Sequence, residues 1–196
     1  MGRIAASQNG SKKEAITSKA AALFIRKGFS STSMRDIADA IGVEAPSLYN
    51  YIRSKNDLLE EVCFQVADRY LQHLKLVESS RAGHLGRIES IIRFHITMMI
   101  QEFDSSYLAE HEWIHLPAPL LADFKAQRKN YRQRVAAIVR KGIDRKEIRR
   151  IHPDVAVHTM LAAIQGIEGW HRSGRKLDPA TLEDNMVQFL INGLKK

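Results

Sequence analysis

The sequence predicts an all-α protein, and three observations carry that expectation. Apolar residues recur at helical spacing along nearly the whole chain. Strand signals are nearly absent, since no Asn-Gly hairpin joins alternating apolar runs and the Val/Ile/Thr clusters are short. Most helical stretches are also bounded by a residue that can start or stop a helix.

The elements follow in order. Residues 12–27 place Ile16, Ala20, Leu23 and Phe24 on one stripe, with Gly28 as the stop. Ser33 caps a short helix over 34–41 that ends at Gly42. The next begins near Ala45 and Pro46, where proline suits the first turn, and runs to about Tyr51. Ser54 caps a long helix over 55–78 whose buried side is marked by Leu58, Leu59, Val62, Val66 and Leu71. Residues 79–83 read as a loop. Helices are expected over 85–103, 105–115 and 118–142, with Gly142 ending the last. A polar stretch, 144–152, leads to helices over 153–173 and 179–194, the second introduced by Asp178 and Pro179. There is no internal repeat. A division near residue 60 separates a disordered tail (1–11) and a compact three-helix head (12–60) from a larger body (61–196).

Composition narrows the class. A chain of 196 residues with 44% hydrophobic and 27% charged residues can bury a proper core. The single cysteine, Cys63, excludes an internal disulfide and fits a reducing compartment. No run approaches the roughly 18 apolar residues of a membrane span. Residues 1–13 lack the apolar centre of a signal peptide. A cytoplasmic protein with no membrane partner is the expectation. The net charge of +8 suggests a polyanionic partner, but its distribution is uneven. Residues 1–60 hold nine basic and six acidic side chains, and 61–122 hold five and eight. Residues 123–150 hold eleven basic against three acidic, while 151–196 balance at five each.

Residues 33–51 read as a helix-turn-helix. Ile37, Ala38 and Ile41 give its first helix an inner face, and Gly42 permits the sharp turn by accepting a positive φ. Val43 plugs the corner while Leu48 and Ile52 anchor the second helix. Ala45, Pro46, Ser47, Tyr49 and Asn50 then face outward on a helix able to enter a major groove about 12 Å wide.

Residues 12–63 resemble the DNA-binding head of the tetracycline-repressor (TetR) family. The likeness runs through Ala21-Ala22-Leu23-Phe24, Lys27-Gly28-Phe29, Ser33-Met34-Arg35-Asp36-Ile37-Ala38, Gly42-Val43, Ser47-Leu48-Tyr49-Asn50-Tyr51 and Ser54-Lys55. It implies a repressor that binds a palindromic DNA operator as a homodimer and leaves it on meeting a small-molecule inducer, with no cofactor and no catalytic residues. Ser33 and Arg35 would sit at a helix N-terminus that favours a phosphate. Tyr49 and Tyr51 would touch DNA through their hydroxyls, with packing as the other reading of Tyr51, and Lys55 would hold a phosphate. Ala45, Pro46, Ser47 and Asn50 would read base edges, Asn50 being able to pair bidentately with adenine. The segment 44–52 contains no Lys or Arg and includes Glu44, so affinity must come from flanking phosphates. Arg3, Lys12, Lys13 and Lys19 either contribute to it or form a solvated end.

The resemblance further implies that the last two helices pair with their symmetry mates as a four-helix bundle. Ala156, Ala162, Ala163, Gly166 and Gly169 alternate there with Val155, Met160, Leu161, Ile164, Ile167 and Trp170, which suits close helix axes. An intrachain bundle is the other reading. The middle helices would enclose a ligand, with Phe94, Met98, Met99, Phe103, Trp113, Arg128, Tyr131, Val135 and Trp170 as wall or core. Residues 111–116 together with Arg128, Tyr131 and Gly169-Trp170 are more loosely similar to the acyl-coenzyme A-responsive branch of the family. Three readings fit the basic run 123–150: a solvated face, a site for an anionic ligand, or extra DNA contact.

His111-Glu112-Trp113-Ile114-His115 matches the zinc signature His-Glu-x-x-His, which on one α-helix puts both histidines on one face with the glutamate as base. Leu116-Pro117-Ala118 breaks the helix before a third histidine, so a protease is not expected. A metal-sensing site with His95 as third ligand, and a plain amphipathic helix, are the remaining readings; no metal is the expectation.

Overall fold

The structure is a computed structural model that describes residues 2–174 and 178–196, with the side chains of residues 2–11 and of Glu14 outside the description. Ten α-helices and one 3-10 turn lie among the described residues, together with a single isolated β-bridge between Ile148 and Lys195. The fold is all-α. It divides into two compact units, residues 1–66 with 104–124, and residues 67–103 with 125–196.

In the first unit, α1 (Gly2–Lys27) buries Ile16, Ala20, Leu23 and Phe24 on one stripe. It begins before the helix expected at residue 12 and draws in the segment expected as a tail, where no proline stops it; the side chain of Arg3 lies outside the described residues. Gly28 ends it at φ +84, its N–H meeting the Phe24 carbonyl at 2.8 Å. Helix α2 (Met34–Ile41) starts from a capping box in which Ser33 and Asp36 bond reciprocally. Gly42, at φ +82, closes α2 with N–H bonds to the carbonyls of Ala38 and Asp39. Helix α3 (Ala45–Leu48) is a single turn, shorter than expected, because i→i+3 bonds carry the chain on through Asn50 and Tyr51. The start of α4 (Lys55–Ser79) is capped by Ser54, which bonds to Asp57. Leu58, Leu59, Val62, Cys63 and Val66 are buried along it.

Segment 104–124 joins this unit, which moves the division away from the expected residue 60. It holds α6 (Phe103–His111) beyond its first residue, the 3-10 turn Trp113–His115 and the start of α7 (Ala118–Asp144). Aromatic contacts tie it there: Phe64 meets Phe124 edge-on at 5.5 Å, and Phe29 stacks on His115 at 5.2 Å.

In the second unit, α5 (His84–Gln101) is central, packing against α8 (Pro153–Gln165), α9 (Ile167–Arg172) and α10 (Pro179–Asn192). Ile88, Ile91, Ile92 and Ile96 bury its inner side. The rest of α4 buries Tyr70, Leu74 and Val77, while Leu71 is only half-buried. Helix α7 runs through Gly142, contrary to expectation, and the chain turns at Lys146 with φ +61. The helix expected over 153–173 is divided at Gly166, whose N–H is shared between the carbonyls of Ala162 and Ala163. Asp178 caps α10 by accepting from the Thr181 N–H at 2.9 Å.

Candidate nucleic-acid interface

Local chemistry fixes both ends of α2 in the helix-turn-helix. Asp36 accepts from the Ser33 N–H at 2.8 Å and from its hydroxyl at 2.6 Å, and Lys27 pairs with the same carboxylate at 2.6 Å. These bonds hold the Asp36 carboxyl well below the usual range, the Lys27 hydrogen bond acting most strongly. At the other end, the N–H groups of Gly42 and Val43 both reach the Ala38 carbonyl at 3.0 Å. Ile37, Ala38, Leu48 and Ile52 are buried beneath the corner. A side chain the size of leucine gains roughly 1.5–3 kcal/mol on full burial, so the corner is held by packing as well as by caps.

This arrangement leaves Pro46, Ser47, Tyr49 and Asn50 exposed, as the sequence led one to expect, with Tyr49 at 53%. Ala45 is half-buried, so it is the least available of the expected base readers. Arg35 is exposed on α2. Tyr51 is half-buried with the Lys12 ammonium 5.3 Å from its ring centre, a cation–π contact that gives it a packing role. Ser47, Asn50 and Tyr51 border a groove of about 420 Å³ together with Lys12 and Lys19. Lys13 instead pairs with Glu61 at 2.9 Å.

Two phosphate assignments read differently in the structure. Lys55 donates to the carbonyls of Phe29 (2.8 Å), Ser30 (3.1 Å) and Thr32 (2.9 Å) and lies 4.7 Å above the Phe29 ring. An ammonium has three N–H donors, so all are spent within the head and Lys55 clasps the loop between α1 and α2. Ser33 likewise has its hydroxyl and N–H on Asp36, whose negative charge already complements the α2 N-terminus.

The expected ligand residues fall into separate groups. In the second unit, Phe94 stacks on His73 at 4.1 Å and meets Tyr70 edge-on at 5.9 Å. Tyr70 also stacks on His95 at 4.1 Å, and His95 Nε2 is 2.7 Å from the Tyr131 hydroxyl. Met98, Met99, Tyr131 and Val135 are buried and Arg128 is half-buried. Phe103 stacks on His171 at 3.7 Å, while Trp170 is 39% exposed. Trp113 belongs to the first unit, where it lies 6.1 Å from Phe124. Sequence reading missed Tyr70 and His73; their (i, i+3) spacing on α4 was a usable signal, because it sets both rings on one helix face.

The zinc signature does not take the form that motif requires. Helix α6 ends at His111 and His115 sits in the 3-10 turn, so the pair is not i, i+4 on one α-helix. His115 lies 3.3 Å from Glu112, and His111 packs on Tyr107 at 4.4 Å. Among the described residues, no group of three His, Cys, Asp or Glu side chains could hold a metal.

A capped, αL-closed two-helix corner with an exposed polar segment, carried on an otherwise helical chain, defines a helix-turn-helix regulator. Residues 16–62 match the family of bacterial regulatory proteins of the tetR type, and residues 82–194 match the tetracyclin repressor-like C-terminal domain. The chain belongs to the TetR family. It is 24% identical over 208 residues to the HTH-type transcriptional repressor KstR2 of Mycobacterium tuberculosis, covering 100% of this chain and 98% of that protein. The solved structure of the ketosteroid transcriptional regulator KstR2 from the same organism superposes with a TM-score of 0.86 at 20% identity, covering 94% and 95% of the two chains. AibR in complex with isovaleryl coenzyme A and operator DNA superposes at 0.78 and 24% identity, covering 91% and 97%. No described helix is long and apolar enough to cross a membrane.

Proposed function

We propose that this protein is a cytoplasmic homodimer that occupies a palindromic operator and is released from it by a small hydrophobic anion, with an acyl-coenzyme A as the leading candidate. DNA reading is supported above all by the corner at Gly42, which leaves Pro46, Ser47, Tyr49 and Asn50 exposed on a capped scaffold. The named repressors among its relatives support repression, and the complex of AibR with isovaleryl coenzyme A supports a thioester ligand. Phe94, Met98, Phe103, Arg128, Tyr131 and Trp170 are the proposed ligand side chains of the second unit; Trp113 is proposed from the family resemblance alone.

Dimerisation through α8 and α10 is supported by Val155 and Phe189, which are 54% and 81% exposed. Exposed Ala162, Gly166 and Gly169 would let a partner helix approach closely. Helix α4 runs through both units and is the natural link between ligand and head. The ligand would have to prefer the released state by the coupling free energy, typically about 1–3 kcal/mol. A thermal-shift screen of acyl-coenzyme A esters, free fatty acids and aromatic acids, followed by operator-release assays, tests the reading. A thioester that raises the melting temperature and frees the operator is the expected result. No shift with any thioester would remove the acyl-coenzyme A proposal.

A further inference from the structure

Of the two cations expected to meet phosphate in the head, Arg35 is exposed on α2 but Lys55 is already occupied. The recognition segment, 44–52, has no Lys or Arg. All three donors of Lys55 are held by carbonyls of the loop between α1 and α2. The caps of α2 and α4 are closed by Asp36 and Asp57, which occupy the Ser33 and Ser54 hydroxyls. Arg53 differs from Lys55. It is exposed, and among the described residues no hydrogen bond or ion pair engages it. It lines an open groove of about 460 Å³ together with Ser31, Tyr49 and the occupied Lys55.

We propose that Arg53 is a phosphate-binding cation of the head in addition to the expected Arg35, gripping one phosphodiester of duplex DNA in this groove, and that Lys55 positions the loop beside it. The inference rests on the reading of the chain as a DNA-binding regulator. A guanidinium presents parallel N–H donors in a fork that matches the two non-bridging oxygens of a phosphodiester. Tyr49, four residues before Arg53, lines the same groove and carries a hydroxyl donor, and Ser31 adds another. A phosphodiester carries no sequence information, so the contact contributes affinity and register, not sequence preference. The side chain costs little to hold ready: it is solvated in the free protein and pays no burial penalty until a phosphate replaces water.

The test uses the full-length protein and a random-sequence duplex of about 30 base pairs, titrated by fluorescence anisotropy from about 50 to about 300 mM salt. Arg53→Ala is expected to weaken binding and to flatten the slope of log K against log salt by about 0.9 per bound protomer. Between about 50 and 200 mM salt, each protomer of the variant should therefore lose roughly 3-fold less affinity than wild type. Arg53→Lys should recover most of the slope, and neither variant should move the melting temperature. Lys55→Ala should lower the melting temperature yet keep the wild-type slope when measured well below it. An unchanged slope in Arg53→Ala, or the same flattening in Lys55→Ala, overturns the proposal while DNA binding stands. Failure of the wild-type protein to bind any duplex would instead refute the regulator reading and this inference with it.

Discussion

His95 Nε2 lies 2.7 Å from the Tyr131 hydroxyl, 36 residues away in sequence, and Tyr70 stacks on the same imidazole with its plane only 9° off parallel. Burial is the main reason that this imidazole is pushed down to about 3, with the charges of His73 and Arg128 adding to it. Burial likewise raises the Tyr131 phenol far above its ordinary value, with Tyr70 adding to the shift. The pair is therefore neutral across the physiological range, which is the condition for keeping both groups in an apolar interior.

That neutrality has a price in acid. In the unfolded chain His95 binds a proton near its ordinary value of 6.5, whereas in the folded protein it does so only near 3. Between those values the unfolded state holds more protons, so stability rises with pH and is lost on acidification. The slope from this one group reaches about 1.4 kcal/mol per pH unit. His73, lowered by burial, acts in the same direction. Urea unfolding of His95→Gln should be less pH-dependent than wild type between about pH 6.5 and 4; parallel curves would show that His95 is not the cause.

Gly142 is tested by adding one carbon. A Cβ there would lie 2.5 Å from Ile148 Cδ1 and 3.0 Å from His84 Cβ. Ile148 is 2% exposed and bridged to Lys195, so it has little room to retreat. Overpacking of this kind costs typically about 1–3 kcal/mol, against less than 1 kcal/mol gained from helix propensity. Gly142→Ala is expected to melt earlier than wild type. A variant of equal or greater stability would mean that the loop after α7 yields freely.

These two sites mark where sequence reading stops. The stripe of α1, the Ser33 cap and the αL glycine at 42 were legible because each is chemistry within one or two turns of chain. Gly142 looked like a helix stop for the same local reason, yet it is a contact point for His84, which precedes it by 58 positions. Lys55 was visible as a cation, but not the three carbonyls, 23 to 26 residues upstream, that occupy it. The His95–Tyr131 pair was invisible for a related reason: each residue sits on a different helix, and only tertiary packing sets their separation. The exposure of Pro46, Ser47, Tyr49 and Asn50 was legible because it depends on the corner alone.

The dimer reading makes a prediction about Phe189. An aromatic side chain 81% exposed on α10 is costly in a monomer's surface and ordinary in a helical interface. Phe189→Asp, combined with Val155→Asp on α8, should convert a dimer into a monomer in light scattering after size-exclusion chromatography. Helical content by circular dichroism should stay near wild type, because neither side chain belongs to the buried core. A dimer that survives both substitutions would place the interface on another surface.

Asn50 carries the sharpest expectation about DNA. It is exposed and borders the groove with Ser47, and its amide offers a donor and an acceptor on one short side chain. That pairing matches the N6 and N7 edge of adenine, where a bidentate contact discriminates by roughly 1–3 kcal/mol. Asn50→Ala should relax base preference at one position in each half-site, with the remaining positions and the salt slope unchanged. Selection from a randomised duplex pool, run in parallel on wild type and variant, reads this directly. Arg53→Ala should give the opposite pattern, a shallower salt slope with the selected consensus intact, since a phosphate contact adds affinity to every sequence alike. Were Asn50→Ala to select the wild-type consensus at full strength, base reading would have to be reassigned to Ala45, Pro46 or Ser47.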